Sequence, residues 1–137
     1  MNVLVTAAAL GAVSGSRSML APALVARAIS SSPLAPILSL FAAGEMAADK
    51  LPAIPARTEA LPLFGRMVSG AVVGAAVGGR RHRVAGALTG AAGALAASFA
   101  LAAARRLASA QRIPNAVAGV CEDALALGAG LWLTRRA

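Results

Sequence analysis

The residues able to do chemistry in this chain are few, and they are unevenly placed. Its five acids fall in two places: Glu45, Asp49 and Glu59, then the adjacent pair Glu122 and Asp123. The pair lies in the apolar run Ile113 to Thr134, which holds no other charge. Glu122 is about nine residues, roughly 13 Å, into that run, which places it near the middle of a membrane-length helix. A charge at that depth costs on the order of 2.5–3.5 kcal/mol even on a lenient insertion scale, so two adjacent carboxylates need partners. Arg17, in the break Gly15-Ser16-Arg17-Ser18, and Arg66, inside the run Ala60 to Gly79, are the cations expected at comparable depth. Two chemistries fit. One is a polar cavity for a proton, an ion or an anionic headgroup, with Glu122 protonatable and Arg17 its counter-charge. The other is a buried ion-pair network that fixes helix packing. Glu45 and Asp49 are four apart and share a helix face, so a second cluster with Lys50 and Arg57 is expected near an interface, where packing is the better account.

Other chemistries are poorly supplied. One histidine, one cysteine and no tyrosine leave no disulfide framework, no cysteine-based metal cage and few acid–base pairs. Ser16, Ser18 and Ser30 to Ser32 have no nearby histidine to activate them. Cys121 reads as a packing residue and His82 as a loop residue. No enzyme activity, metal or organic cofactor is expected. Thirteen Lys and Arg against five acids give a net charge of +8, and Lys50 is the only lysine. The basic run Arg80-Arg81-His82-Arg83 is short and lies between two apolar runs, so it suits anionic lipid headgroups rather than nucleic acid.

The elements that must position these residues are apolar helices. Of the 137 residues, 58% are hydrophobic and 13% charged, too little polar surface for a water-soluble globule. A bilayer core needs roughly 20 apolar residues of helix. Val84 to Ala104, Ile113 to Thr134 and Ala60 to Gly79 meet that length, separated by the basic run and by a loop at residues 105–112. Upstream, Met1 to Ser16 and Met19 to Ile29 form one segment broken at Gly15 to Ser18, and Leu34 to Gly44 follows the helix-start signal Ser30-Ser31-Ser32-Pro33. The expected fold is all-α, a single transmembrane domain over residues 1–137 with about five segments, four at least and six at most. A signal peptide is not expected, because no cation precedes Val3 to Val13.

The proline-rich connection from Leu51 to Pro62 divides the chain, and each half has a Gly-and-Arg break followed by an acidic pair. That pattern allows a weak two-fold repeat of residues 1–59 and 60–137. Gly70, Gly74 and Gly78 form one stripe of small residues and Gly86 with Gly90 another, both suited to close helix packing within the chain. Further copies or other membrane subunits are the remaining partners to expect, beside the lipid bilayer. With five segments the cations divide six against six, Lys50, Arg57, Arg66, Arg105, Arg106 and Arg112 against Arg27, Arg80, Arg81, Arg83, Arg135 and Arg136. Loop charge therefore does not set an orientation.

The polar stretches also resemble a known family. Gly15 to Ala23 (GSRSMLAPA), Gly44 to Pro52 (GEMAADKLP) with Arg57-Thr58, Arg66 before Ser69-Gly70-Ala71, and Glu122 to Ala126 (EDALA) are similar, in that order, to motifs of the small bacterial membrane proteins grouped as domain of unknown function 4126. The resemblance covers nearly the whole chain. It implies a multi-pass fold in the bacterial inner membrane and no particular activity. The functional expectation is a small transporter-like or channel-like protein with Arg17, Glu45, Asp49, Lys50, Arg57, Arg66, Glu122 and Asp123 as its polar residues. The alternative is a non-transporting accessory or scaffold subunit.

Overall fold

A computed structural model describes residues 2–29, 33–48 and 60–135. These residues form five α-helices: α1 (Val3–Ser16), α2 (Leu20–Ile29), α3 (Leu34–Ala48), α4 (Ala60–Ala110) and α5 (Asn115–Thr134). The all-α class is as expected. Asp49, Lys50 and Arg57 lie outside the described residues.

Proline marks where the helices begin. Pro22, Pro36 and Pro62 are each the third residue of their helix, where the missing N–H would have had no partner inside the helix anyway. α1 ends because Ser14, Gly15, Ser16 and Ser18 are weak helix formers. The Ser16 hydroxyl donates to the Val13 carbonyl at 2.7 Å, competing with the helix's own ladder. Arg17 then turns extended, with φ −144° and ψ 112°, and its N–H still reaches Val13 O. The expected interruption of the first segment is therefore present, and it separates two helices.

The 51-residue α4 is a hairpin. At Gly79 the backbone takes φ 57° and ψ −162°, a region that only glycine occupies without strain. His82 also leaves helical geometry. Arg80 to Arg83 is thus a tight turn rather than an open loop. The limbs, residues 60–78 and 83–110, run back along each other with Gly70 against Gly90 and Gly74 against Gly86. A β-carbon at any of these four would collide with the opposite backbone. α1 lies along the same hairpin, with Gly11 on Gly90 and Gly15 on Ala94. The glycine stripes are used inside the chain, bringing three backbones together where larger side chains would hold them apart.

The second limb also runs on past Ala104 to Ala110. The expected loop over 105–112 is shorter, because Ala, Leu and Arg are good helix formers and Arg105 has a partner on α5. The helix stops at Arg112, which has φ 59°. Ile113 N donates to Ala108 O and Arg112 N to Ser109 O, both at 3.0 Å. These two bonds make a Schellman cap with arginine where glycine is usual.

Two helices, α4 and α5, are long and apolar enough to cross a membrane, whereas α1 and α3 are apolar but shorter. A core of Leu10, Val13, Leu20, Val25, Val73 and Leu133 with several alanines is buried, yet polar side chains are buried with it and many large apolar ones face outward. The largest fully buried side chains are Arg17, Leu10, Val73, Ser14 and Ser98, three of them polar, while Leu61, Leu40, Val84 and Leu125 are largely exposed.

Unfolding in detergent should read both backbone features. Arg112→Gly should raise stability by about 1 kcal/mol, the strain an L-residue carries in the left-handed region. Gly74→Val should lower it by about 3 kcal/mol, because the facing backbone must move. Equal stability of Gly74→Val and the parent would contradict the hairpin contact.

Candidate functional site at the helix break

A chain that leaves helical geometry in an apolar interior must find new partners for its amide and carbonyl groups. At the break between α1 and α2 those partners come from every other helix. From α3, the Glu45 carboxylate accepts Ser18 N at 2.9 Å, Ser18 Oγ at 2.7 Å and Met19 N at 3.1 Å. It caps the entry to α2 from another helix, and its negative charge faces the positive end of the α2 dipole. From the first limb of α4, Ser69 Oγ donates to Ser18 O and lies 3.3 Å from Ser14 Oγ. From the second limb, Ser98 Oγ lies 3.2 Å from Gly15 O and 2.8 Å from Ala94 O.

α5 supplies the counter-charge. Arg17 is 2% exposed, and its Nε donates to Asp123 Oδ1 at 2.7 Å while Nη2 reaches the same oxygen. The pair is nearly dry, so its geometry matters more than it would in water. Arg66 is also buried, on the first limb one turn before Ser69.

Glu122 is placed differently from expectation. Successive helix residues point about 100° apart, so when Asp123 faces the break, Glu122 faces the second limb of α4. There it takes a forked bond from Arg105, Nε to Oε1 at 2.9 Å and Nη2 to Oε2 at 3.0 Å. Asp123, not Glu122, is the acid opposite Arg17. The Arg105 side chain is 28% exposed, so this pair is a peripheral tie between α4 and α5 rather than part of the break.

Of the polar residues singled out from the sequence, Arg17 pairs with Asp123, Glu45 bonds the next two residues of the break, Arg66 is buried on the first limb of α4, and Glu122 stands apart with Arg105. Ser14 and Ser98 were missed, and Ser69 was noticed only within a longer motif. A usable signal was there: Ser98 is a lone hydroxyl in a run of alanines and glycines, where a small polar residue has to bond to backbone. Among the described residues no three His, Cys, Asp or Glu side chains come together as a metal site would require. Cys121 and His82 are exposed.

A recess of about 230 Å³ opens between α2, α3 and α5, lined mainly by Leu20, Ala23, Leu24, Ala42, Met46 and Leu127, with Arg27 also on its wall. It is apolar and does not contain the ionic groups of the break. Comparison of the chain with family models, with characterised proteins and with solved structures returned no match.

The two acids should respond unequally. Glu45→Ala should cost about 2 kcal/mol, because three donors at the start of α2 lose a charged acceptor. Glu122→Gln should cost about 1 kcal/mol or less, since a partly exposed pair contributes little. Denaturant titration of both variants in the same detergent checks the order, and a larger loss for Glu122→Gln would contradict this placement.

Proposed function

We propose that the chain is a small multi-pass protein of the bacterial inner membrane, with four to six helical membrane segments, and that the break between α1 and α2 is the centre of a transporter-like or channel-like activity. The single observation that carries this reading is an arginine 2% exposed, paired with an aspartate, at the junction of two half-helices. Ionisable groups are costly in an apolar medium and concentrate where a membrane protein moves charge. Discontinuous helices are where small transporters bind ions and protons. The many large apolar side chains that are exposed, Leu61, Leu40, Val84 and Leu125 among them, support the membrane setting, because a water-soluble surface rarely carries so many.

In this reading the working pair is Arg17 and Asp123. Asp123 is the counter-charge of Arg17, so a solute that engages either residue must compete with that pair. The solute class is a proton, another small ion or an anionic headgroup drawn to Arg17. Kinship with the family that the polar motifs resemble is part of the same proposal.

A second reading has its own observation. The polar groups at the break bond to neighbouring backbone and side chains, with Glu45 taking three donors and Ser69 and Ser98 bonded to backbone, while the recess between α2, α3 and α5 is apolar. Such closure suits a non-transporting accessory or scaffold subunit whose charges hold its helices in place.

Vesicles containing the purified protein and a trapped pH-sensitive dye separate the two. Transport predicts that Asp123→Asn slows the response to an imposed pH step at least tenfold while elution from a sizing column is unchanged, and that Glu122→Gln keeps most of the flux. Parent-like flux in Asp123→Asn would overturn the transport reading. A parent protein without flux, together with reduced yield of Asp123→Asn, is the result that favours the scaffold.

A further inference from the structure

Of the cations that divide six against six, Lys50, Arg57 and Arg136 lie outside the described residues, and the others can be placed. Arg66 is buried on its limb, while Arg105, bonded to Glu122, stays in the count for the end opposite the turn. The remaining exposed arginines can be ranked by level along the helices. α1 runs parallel to the second limb of α4, with Gly11 at Gly90 and Gly15 at Ala94. The start of α1 is therefore beside the Arg80–Arg83 turn. α5 runs the other way, with Asp123 at Arg17 and Gly130 beside Val13 and Leu24. Arg135 lies five residues beyond Gly130, roughly 7 Å closer to the turn. α2 starts at the break and reaches the level of Val13 at Leu24, so Arg27 also lies toward the turn.

On the turn side of the break thus lie Arg27, Arg80, Arg81, Arg83 and Arg135, all exposed. The described acids are elsewhere: Glu45 and Asp123 at the break, and Glu122 beside Arg105 beyond it. At the opposite end the described exposed arginines are Arg106 and Arg112.

We infer that the Arg80–Arg83 turn, flanked by Arg27 and Arg135, is a platform for the anionic phosphate headgroups of one leaflet, and that it holds this end on the cytoplasmic side. Each arginine near an anionic leaflet adds to the attraction between the protein and that leaflet. Arginine counted near the membrane ends sets orientation, and acids hardly enter that count. Guanidinium also grips phosphate by a planar fork, which lysine cannot do. The inference rests on the membrane reading above, and its test is arranged to fail separately.

In a Cys121→Ser background, His82→Cys at the turn and Gln111→Cys at the far end are labelled in bacterial cells with a membrane-impermeant maleimide. His82→Cys should react only after permeabilisation, with at least a tenfold rise, and Gln111→Cys should react in intact cells. Carrying Arg80→Gln, Arg81→Gln and Arg83→Gln, the protein should lose that protection. Purified parent protein should bind phosphatidylglycerol at least fivefold more tightly than phosphatidylcholine by native mass spectrometry, and the triple variant should not discriminate. Labelling of the turn from outside, equal labelling of both ends, or equal binding of the two lipids by the parent overturns the inference. Release of the protein from membranes by alkaline carbonate overturns the membrane reading itself and the platform with it.

Discussion

A helix that breaks inside an apolar body leaves amide and carbonyl groups that nothing local can satisfy, and the rest of this structure answers that need. Three residues, Arg17 to Met19, separate α1 from α2. Glu45 supplies an acceptor for two backbone N–H groups, Ser69 donates to one backbone carbonyl, Ser98 approaches another, and Asp123 neutralises the guanidinium. One polar group from each of α3, the two limbs of α4, and α5 therefore converges on the same short stretch. An unsatisfied group there would cost on the order of 1–3 kcal/mol, more if charged. The break specifies how the helices are arranged more strongly than apolar contact does, because apolar faces can slide and hydrogen bonds cannot.

The glycines are the other half of that arrangement. Serine hydroxyls reach a neighbouring backbone only if the helices approach closely, and the Gly70, Gly74, Gly86 and Gly90 crossings with Gly11 permit that approach. Close packing of small residues and the hydroxyl bonds at residues 69 and 98 are consequences of one geometry. Leu10, Val13, Leu20 and Val73 fill the space between the helices, and many other large apolar side chains face outward.

Much of this was legible in the residues. Gly15 to Ser18 announces a break by its lack of helix formers, and the four-residue glycine spacing announces close packing. Arg17, Glu45 and the Glu122–Asp123 pair stand out because charge is scarce in such a chain. The division of labour between Glu122 and Asp123 was not legible, since neighbours in sequence point to different faces and only the placement of α5 decides which faces the break. Ser98 was hidden because one hydroxyl among alanines looks like packing until the facing carbonyl is known. The extension of α4 through Arg105 and Arg106 was hidden as well, because a pair of arginines after an apolar run reads as a boundary.

The central claim is that Arg17 and Asp123 act as one unit closing the break, and a double-mutant cycle tests it most directly. Arg17→Met, Asp123→Leu and the double variant would be unfolded by denaturant in one detergent. Removing one partner of a buried pair is expected to cost about 3–5 kcal/mol, whereas replacing both by apolar side chains is close to neutral. The account predicts that the double variant is at least about 2 kcal/mol more stable than the sum of the single losses allows. Single losses that simply add would show that the two residues act independently, and would contradict it.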